Sequence, residues 1–274
     1  MTVSTHSLSA RFLGEAGGRF LCLHYQPAVS PAAHIIYIPP FGEEMNRCRA
    51  LAAAQARQFA DAGYSCTIMD LFGTGDSEGE LYEASFAIWY ENISTLIKTL
   101  LRDDDVPVIL WGLRLGGLLA LDYTRRSSLA IQNIILWQPV TAGKRFVTQM
   151  LRQRVASLVG KDLPPETTQQ IRQRLEEGEN VEISGYTVGG ALLRDMEQTD
   201  FSAMVNLCPG KIYWLENVSD HEQPASTASR KMIDQLQGQD NNIELHLFAD
   251  PPLWQLHKRD NAPELLDITG RLLS

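Results

Sequence analysis

The sequence contains no hydrophobic run that approaches the ~20 consecutive apolar residues of a membrane-spanning helix. Its N-terminus, MTVSTHSLSARF, lacks the basic start and the apolar core of a signal peptide. The four cysteines are scattered without a CxxC pair, which favours buried free thiols over disulfides or metal ligands. We therefore expect a cytoplasmic protein without a membrane span.

Basic charge is also scarce, because 24 lysines and arginines face 33 acidic residues and leave a net charge of -9. A nucleic-acid-binding surface needs a basic excess, so the composition argues against nucleic acid as a partner. No Gly-Lys-Ser/Thr follows the glycine-rich loop, as a phosphate-binding loop would require, and we predict no metal and no cofactor. A chain of 274 residues is long enough for one large α/β domain or two small ones.

Short apolar runs alternate with segments of helical periodicity along most of the chain. Continuous runs such as HIIYI (34–38) and VILW (108–111) are typical of strands covered on both faces. The weakly alternating segments 9–12 and 19–25 predict an antiparallel strand pair at one edge. The pattern predicts an α/β fold with a mainly parallel central sheet and helices on both faces.

The alternation stops between residues 141 and 203. This segment predicts helices and one short extended piece, and it interrupts a core that residues 1–140 and 204–274 form together. We interpret residues 141–203 as a helical cap insertion over the carboxyl edge of the sheet, within a single domain. Active loops of such sheets lie at that edge.

Residues 106–120, VPVILWGLRLGGLLA, predict a strand, a tight turn at residues 112–116 and a helix. This is the architecture of a nucleophile elbow, in which glycines permit a sharp turn and close backbone packing. The middle position should hold Ser, Cys or Asp, but it holds Arg114, whose guanidinium is neither a nucleophile nor a base. Ser77 lies in the only literal Gly-x-Ser-x-Gly of the sequence, at residues 75–79, but no apolar strand and helix flank it directly, so we do not expect it to attack.

The other two positions of a catalytic triad are equally irregular. Glu216 and Asp220 follow the predicted strand KIYWL as acid candidates, and His221 adjoins Asp220. After the last predicted strand the chain reads FADPPLW, without a histidine. His246 falls inside that strand, and His257 comes later, where we expect a surface position.

The loop opposite the turn, PPFGEE, retains the parts of an oxyanion hole. Phe41 and Gly42 hold the position of one backbone donor, and the Leu115 amide would supply the second. The start of the following helix adds partial positive charge. Glu43 and Glu44 complete this predicted loop, and the next helix is expected to begin at Arg47 with Asn46 as its cap.

Two hypotheses for Arg114 remain open. It either binds a carboxylate or phosphate together with the helix start and the loop amides, or it is paired with a nearby carboxylate that closes the old site. The candidate carboxylates belong to Glu43, Glu44, Asp70 and Asp76.

Four tryptophans near strand ends suggest either core packing or an aromatic ring around an apolar or carbohydrate pocket, namely Trp111, Trp137, Trp214 and Trp254.

Five segments resemble the exosortase A system-associated hydrolases of type 2, and the resemblance covers essentially the whole chain. The segments are PPFGEEMNRCR, DLFGTGDSEG, LWGLRLGGLLA, LWQPV and ISGYTVGGALL. These α/β-hydrolase-fold proteins occur beside exosortase and PEP-CTERM sorting systems in bacteria that make exopolysaccharide. The resemblance implies a hydrolase acting on an ester, thioester or amide of a small-molecule or acyl substrate, with the exosortase system as partner. Arg114 and the missing histidine favour the alternative, a pseudo-enzyme that binds an anionic ligand or a partner protein.

Overall fold

The structure, a computed structural model, describes residues 6–158, 165–199, 204–255 and 261–273. Within these ranges the strands are β1 (His6–Leu13), β2 (Phe20–Pro27), β3 (His34–Ile38), β4 (Ser65–Met69), β5 (Val108–Leu113), β6 (Asn133–Trp137), β7 (Val181–Ile183), β8 (Tyr186–Val188), β9 (Ile212–Asn217) and β10 (Ile243–Phe248). The helices are α1 (Glu43–Asp61), α2 (Phe86–Asp103), α3 (Leu115–Arg126), α4 (Gly143–Leu158), α5 (Thr168–Glu176), α6 (Gly190–Gln198), α7 (Thr227–Gln237) and α8 (Pro263–Arg271).

The central sheet has eight strands in the order β1-β2-β4-β3-β5-β6-β9-β10. The strands from β4 to β10 in this order run parallel, whereas β2 pairs antiparallel with both β1 and β4. The predicted mainly parallel sheet and its antiparallel edge pair are therefore confirmed. The crossing from β3 to β4 and back to β5 places the loops after β3 and β5 side by side.

Two hydrophobic clusters cover the two faces of the sheet. Successive residues of β5 alternate between them, as the two-residue repeat of a strand requires. Trp111 and Trp137 pack in one cluster and Trp214 in the other, each at most 1% exposed. An aromatic ring around a pocket was the wrong interpretation for these three, because their side chains fill the core beneath the loops.

Helix α1 begins earlier than the sequence indicates. Its N-cap is Gly42, with φ 60° and ψ -132°, so Glu43 and Glu44 lie in the first helical turn and not in a loop. Negative side chains are favoured there, because the helix start carries partial positive charge. The predicted cap, Asn46, lies inside the helix and donates instead to Glu43 Oε2 (3.1 Å) and to the Tyr186 hydroxyl (2.9 Å).

The described part of residues 141–203 contributes α4, α5, α6 and a separate two-stranded sheet of β7 and β8. The backbone N–H of Phe86, at the start of α2, donates to Asp195 of α6 at 2.8 Å and joins this segment to the core. The division of the chain into a core and a cap insertion stays a prediction. We use "cap segment" below for residues 141–203.

All four cysteines are free and buried. Burial raises the pKa of the Cys22 and Cys48 thiols to about 12, so both stay protonated and unreactive. Over the described residues, none of the helices combines the length and the apolar character needed to cross a bilayer. The same residues contain no group of three or more His, Cys, Asp or Glu placed to hold a metal ion.

Candidate functional site

Arg114 lies in the sharp turn between β5 and α3. Its backbone adopts φ 54° and ψ -116°, a region that residues other than glycine rarely occupy. The Arg114 N–H donates to the Trp137 carbonyl at 3.0 Å, and its carbonyl accepts from the Val140 N–H at 3.1 Å. The end of β6 and the loop after it therefore hold the backbone of Arg114 in this conformation.

Gly112 and Gly116 permit the turn because no other side chain fits at either position. A Cβ atom on Gly112 would lie 2.4 Å from the Gly116 carbonyl oxygen. A Cβ atom on Gly116 would lie 2.1 Å from the Ile38 carbonyl oxygen, at the end of β3. The close backbone packing inferred from the glycine spacing is present, so the frame of a nucleophile elbow surrounds an arginine.

The guanidinium of Arg114 is only loosely engaged. Its Nε contacts Glu44 Oε1 at 3.4 Å, and its Nη1 contacts the Gln138 carbonyl at 3.5 Å. Both distances exceed the usual range of a hydrogen bond to a charged group. The ring of Trp254 lies 5.8 Å from the guanidinium carbon, within the distance of a cation–π contact.

Of the four carboxylates considered for Arg114, the structure selects Glu44. Asp70 pairs with Arg49 at 2.7 Å, and Asp76 is exposed and makes no ion pair with Arg114. Glu43 accepts instead from the hydroxyl of Tyr186 at 3.1 Å. The side chains of Arg114 and Glu44 are 18% and 22% exposed, so their pair lies partly buried.

Glu44 is in an unfavourable position for a full negative charge. Burial raises the pKa of its carboxyl, and the guanidinium groups of Arg114 and Arg47 lower it only in part. Its Oε2 is inaccessible to water and has no hydrogen-bond partner in the described part of the chain. The indole N–H of Trp254 is likewise buried and has no partner among the described residues. Such unpaired groups are rare in proteins, so the region around Glu44 and Trp254 has hydrogen-bonding capacity that the described residues do not use.

A cavity of about 620 Å³ lies beside the pair of Arg114 and Glu44. Its walls come from the loop after β3, the first turns of α1, one face of α4, the hairpin of β7 and β8, and the loop after β10. The residues are Phe41, Gly42, Glu43, Glu44, Arg47, Arg114, Phe146, Gln149, Met150, Gln153, Ile183, Ser184, Tyr186, Trp254 and Gln255.

Six residues singled out in the sequence line this cavity together, namely Phe41, Gly42, Glu43, Glu44, Arg114 and Trp254. Leu115 does not line it. It is buried at the start of α3 and borders a small apolar pocket that it shares with Phe41. The loop after β3 and the turn after β5 thus meet as the strand order predicts.

The acid candidates do not reach the cavity. Glu216 lies within β9, which extends to Asn217, and its side chain accepts from the Ser226 N–H at 2.9 Å. Asp220 is exposed and accepts from the Glu222 N–H. The prediction that these carboxylates face Arg114 is therefore corrected, because one is used to fix the start of α7 and the other points to solvent.

The histidine candidates do not complete a triad in the described residues. The side chain of His221 is 61% exposed and pairs with Glu264 at 3.1 Å, away from Arg114. His246 lies in β10, as predicted, and contacts Glu244 at 3.0 Å. His257 lies outside the described residues. Among the described residues that line the cavity there is no His, Cys or Lys, and the hydroxyl groups belong to Ser184 and Tyr186.

The sequence interpretation missed the cap side of the cavity. Tyr186 places its ring 3.5 Å from where a Gly42 Cβ would be, and its hydroxyl bonds to both Glu43 and Asn46. Gln149 and Gln153 lie on the face of α4 that borders the cavity. The apolar spacing of α4 indicated a helix, but nothing in it distinguished a cavity wall from a core face.

Comparison with known proteins yields one family match and many structural relatives. The family model of serine aminopeptidases, S33, matches residues 29–214. The mitochondrial palmitoyl-protein thioesterases ABHD10 of Homo sapiens and Pongo abelii are each 32% identical to this chain over 99 residues. That segment covers 36% of this chain and 31% of each relative, so the match spans about a third of their length.

Solved structures match almost the whole chain. Est1E from Butyrivibrio proteoclasticus, with ferulic acid bound, has a TM-score of 0.66 at 16% identity and covers 96% of this chain and 98% of its own. A carboxyl esterase from Bacillus coagulans has a TM-score of 0.63 at 13% identity, covering 96% of each chain. Mouse alpha/beta hydrolase domain-containing protein 10 has a TM-score of 0.56 at 16% identity, covering 97% and 98%. These likenesses confirm the predicted α/β-hydrolase fold.

Proposed function

We propose that this chain, which belongs to the serine aminopeptidase S33 family of α/β hydrolases, binds a small carboxylate ligand in its cavity through Arg114 and without serine catalysis. The observation that supports this most directly is the arginine at the elbow itself. It stands where the family architecture requires a nucleophile, in a strained backbone conformation, with its guanidinium at the edge of a cavity.

Arg114 has donors to spare for a ligand. A guanidinium carries five N–H groups in a planar fork that matches a carboxylate. Two of its nitrogens make the long contacts to Glu44 and Gln138, and Nη2 makes no hydrogen bond to a described residue. A ligand carboxylate therefore gains charge-assisted hydrogen bonds that the protein itself leaves unmade.

A carboxylate is the anion that fits this fold best. Ester, thioester and amide hydrolysis all release a carboxylate at the elbow, so a cavity inherited from such chemistry has room for an acid there. The related structure Est1E holds ferulic acid, which is itself a carboxylic acid. The aromatic side chains of Phe41, Phe146 and Trp254 offer apolar contact for the remainder of such a ligand.

Calorimetric titration with ferulate tests the proposal. We expect Arg114→Gln to weaken binding about 10- to 100-fold, since a hydrogen-bonded charge contributes about 1.5–3 kcal/mol. Arg145→Gln is the matched control, because Arg145 is exposed on α4 and lies outside the cavity lining. It should bind ferulate as the unmodified protein does. Equal affinity of Arg114→Gln and the unmodified protein, with both correctly folded by circular dichroism, would overturn the assignment.

Hydrolysis by an activated water is the second candidate. Glu44 supports it, because a carboxyl with a raised pKa beside a cavity is suited to accept a proton from water. The thioesterase names of the curated relatives favour a thioester substrate for this alternative. Steady turnover of palmitoyl-coenzyme A that Glu44→Gln abolishes would favour hydrolysis over binding alone.

Serine-directed reagents separate both candidates from an ordinary family enzyme. We expect fluorophosphonate probes to leave the protein unlabelled, because the elbow holds Arg114 and the Ser77 hydroxyl donates to the Asp70 carbonyl within its own loop. Arg114→Ser alone should not create an efficient esterase, since no histidine lines the described part of the cavity. Stoichiometric labelling at Ser77 would contradict this expectation.

The sequence resemblance to type 2 exosortase A system-associated hydrolases suggests the setting in which the ligand arises. We propose on that ground that the protein works beside an exosortase and PEP-CTERM system, and that it does so in the cytoplasm, where buried free thiols persist. Deleting the gene from its host should alter the sorting of PEP-CTERM proteins or exopolysaccharide output. Unchanged sorting and output would remove this part of the proposal.

A further inference from the structure

We infer that the protonation of Glu44 controls ligand binding at Arg114. A ligand carboxylate binds the Arg114 guanidinium only when the Glu44 carboxyl takes up a proton. This inference rests on the proposed carboxylate-binding function and adds a regulatory residue to it. The juxtaposition behind it is one guanidinium, one resident carboxylate with an unpaired oxygen, and an adjoining cavity large enough for a second carboxylate.

Glu44 holds Arg114 with only one of its two oxygens. Oε1 lies 3.4 Å from Arg114 Nε, whereas Oε2 is inaccessible to water and meets no hydrogen-bond partner within the ranges that the structure describes. An ionised carboxylate with an unsolvated, unpaired oxygen is costly in a protein interior. A proton on Oε2 removes the charge and hence most of that cost.

The charged and titratable groups around Glu44 leave it as the group that responds to pH. Arg47 and Cys48 follow it on α1, Tyr37 faces it from β3, and Arg114 faces it from the turn after β5. Burial keeps the pKa of the Cys48 thiol at about 12 and that of Tyr37 well above its usual value, so both stay neutral. Glu43, its neighbour on α1, is turned toward Tyr186 and Asn46.

Ligand binding and protonation therefore occur together. If a ligand carboxylate bound Arg114 while Glu44 kept its charge, two carboxylates would share one guanidinium in a partly buried corner. When Glu44 takes one proton from solvent, the ligand carboxylate and Arg114 form the ion pair and the net charge of the corner stays at zero. Burial already raises the pKa of Glu44, and loss of Arg114 to the ligand raises it further.

Proton linkage makes the expected effect measurable. Ferulate binding should take up about one proton, and its Kd should rise about 10-fold per pH unit above the pKa of free Glu44. Titrations in buffers of different ionisation enthalpy, between about pH 5.5 and 7.5, report both quantities on the unmodified protein. The ferulate carboxyl is ionised over this whole range, so the ligand itself does not titrate.

Two variants test whether Glu44 is the group that takes up the proton. Glu44→Gln should bind ferulate with a Kd independent of pH and without proton uptake, since the neutral amide imitates the protonated carboxyl. Glu182→Gln, which changes an exposed carboxylate of the cap hairpin outside the cavity lining, should retain the full pH slope.

The outcomes separate the two proposals. Ferulate binding that needs Arg114 but shows neither proton uptake nor a pH slope overturns the role of Glu44 and leaves the carboxylate site standing. A slope that persists in Glu44→Gln does the same. Binding that survives Arg114→Gln overturns the carboxylate site itself, and the role of Glu44 with it. The proton uptake of the unmodified protein decides the question if Glu44→Gln does not fold.

Discussion

Two arginine–carboxylate pairs lie at the carboxyl edge of the same sheet and differ in almost every respect. Arg49 of α1 and Asp70, directly after β4, are 2.7 Å apart, and the same Asp70 oxygen accepts the Asp76 N–H at 3.0 Å. Arg114 and Glu44, beside the turn after β5, are 3.4 Å apart. The first pair joins α1 to the loop after β4, whereas the second borders a cavity and leaves one carboxylate oxygen without a partner among the described residues.

The difference indicates which pair is structural and which is available for function. The Asp70 loop closes so tightly over its pair that a Cβ on Gly75 would lie 2.1 Å from Asp70 Oδ2. The pair of Arg114 and Glu44 has the same chemical groups, but its hydrogen-bonding capacity is not used up, which is the property of a binding site.

The backbone frame of the turn at residues 112–116 is where we expect the largest effect of a single substitution. Gly116→Ala should destabilise the protein by about 4 kcal/mol or more, because the new Cβ would overlap the Ile38 carbonyl oxygen. That oxygen belongs to the backbone of β3 and cannot move aside as a flexible side chain could. Urea denaturation measures the change.

Gly63→Ala serves as the control for this substitution. Gly63 has a positive φ of 90°, which Gly116 does not, but no atom of the described residues lies within 4 Å of a Cβ there, so we expect a loss of about 1–2 kcal/mol. Equal losses at the two glycines would show that the elbow is not held by close packing, and the contrast with the loosely held Arg114 side chain would disappear.

The two ion pairs themselves should respond unequally to neutralisation. Asp70→Asn should cost about 2–3 kcal/mol, because Asp70 is buried and its carboxylate accepts from both Arg49 and Asp76. We take the lower part of the buried-pair range because the Arg49 side chain is 34% exposed. Arg114→Gln should cost less than about 1 kcal/mol, since its contacts are long. Similar losses in thermal or urea unfolding would mean that the Arg114 pair is structural after all.

The fold could be predicted from the sequence because local patterns of apolar residues and glycines identify its strands and its sharp turn. Continuous apolar runs identify the parallel strands, and the spacing of Gly112 and Gly116 identifies the turn, since only glycine permits that approach. The start of α1 was misjudged because Asn46 is a common cap, whereas Gly42 begins the helix through its positive φ and without a side-chain hydrogen bond.

The site was predictable only in part, for a physical reason. The strand order brings the loops after β3 and β5 together, so Arg114 and four candidate partners could be named. Which carboxylate turns toward Arg114 depends on competing partners from distant segments, namely Arg49 for Asp70 and Tyr186 for Glu43. The cap side of the cavity depends on how α4 and the hairpin pack, which no local pattern specifies.

Changes in pH should sharpen the contrast between the carboxylates of the two regions. Because burial raises the pKa of Glu44, the protonated carboxyl favours the folded state. This stabilisation is fully present below the pKa of an unfolded Glu, about 4.3, and is lost as pH rises through the pKa of Glu44 in the folded protein. Hydrogen bonds from Arg19 and from the Arg19 and Gly17 amides lower the pKa of Glu78, at the end of the Asp70 loop, to about 2. Its contribution is present above about pH 4.3 and is lost as pH falls through about 2.

Denaturant unfolding across pH tests these opposite signs. The stability of Glu44→Gln relative to the unmodified protein should increase as pH rises from about 4 to 8. The stability of Glu78→Gln relative to the unmodified protein should increase as pH falls below about 4. Parallel trends in the two variants would contradict the contrast between the regions.

The smallest effect expected concerns the backbone of Arg114, and it bears on why an arginine is there. Its φ of 54° and ψ of -116° suit glycine, and each non-glycine residue pays about 1–2 kcal/mol to adopt such a conformation. Arg114→Gly should therefore be more stable than Arg114→Ala by about 1 kcal/mol in urea denaturation. At Arg152, on the exposed face of α4, the order should reverse, because glycine is less favourable than alanine by about 1 kcal/mol inside a helix. The long contacts of Arg114 do not offset such strain, which supports the proposal that its guanidinium serves a ligand. Equal stability of the two Arg114 variants would remove that support.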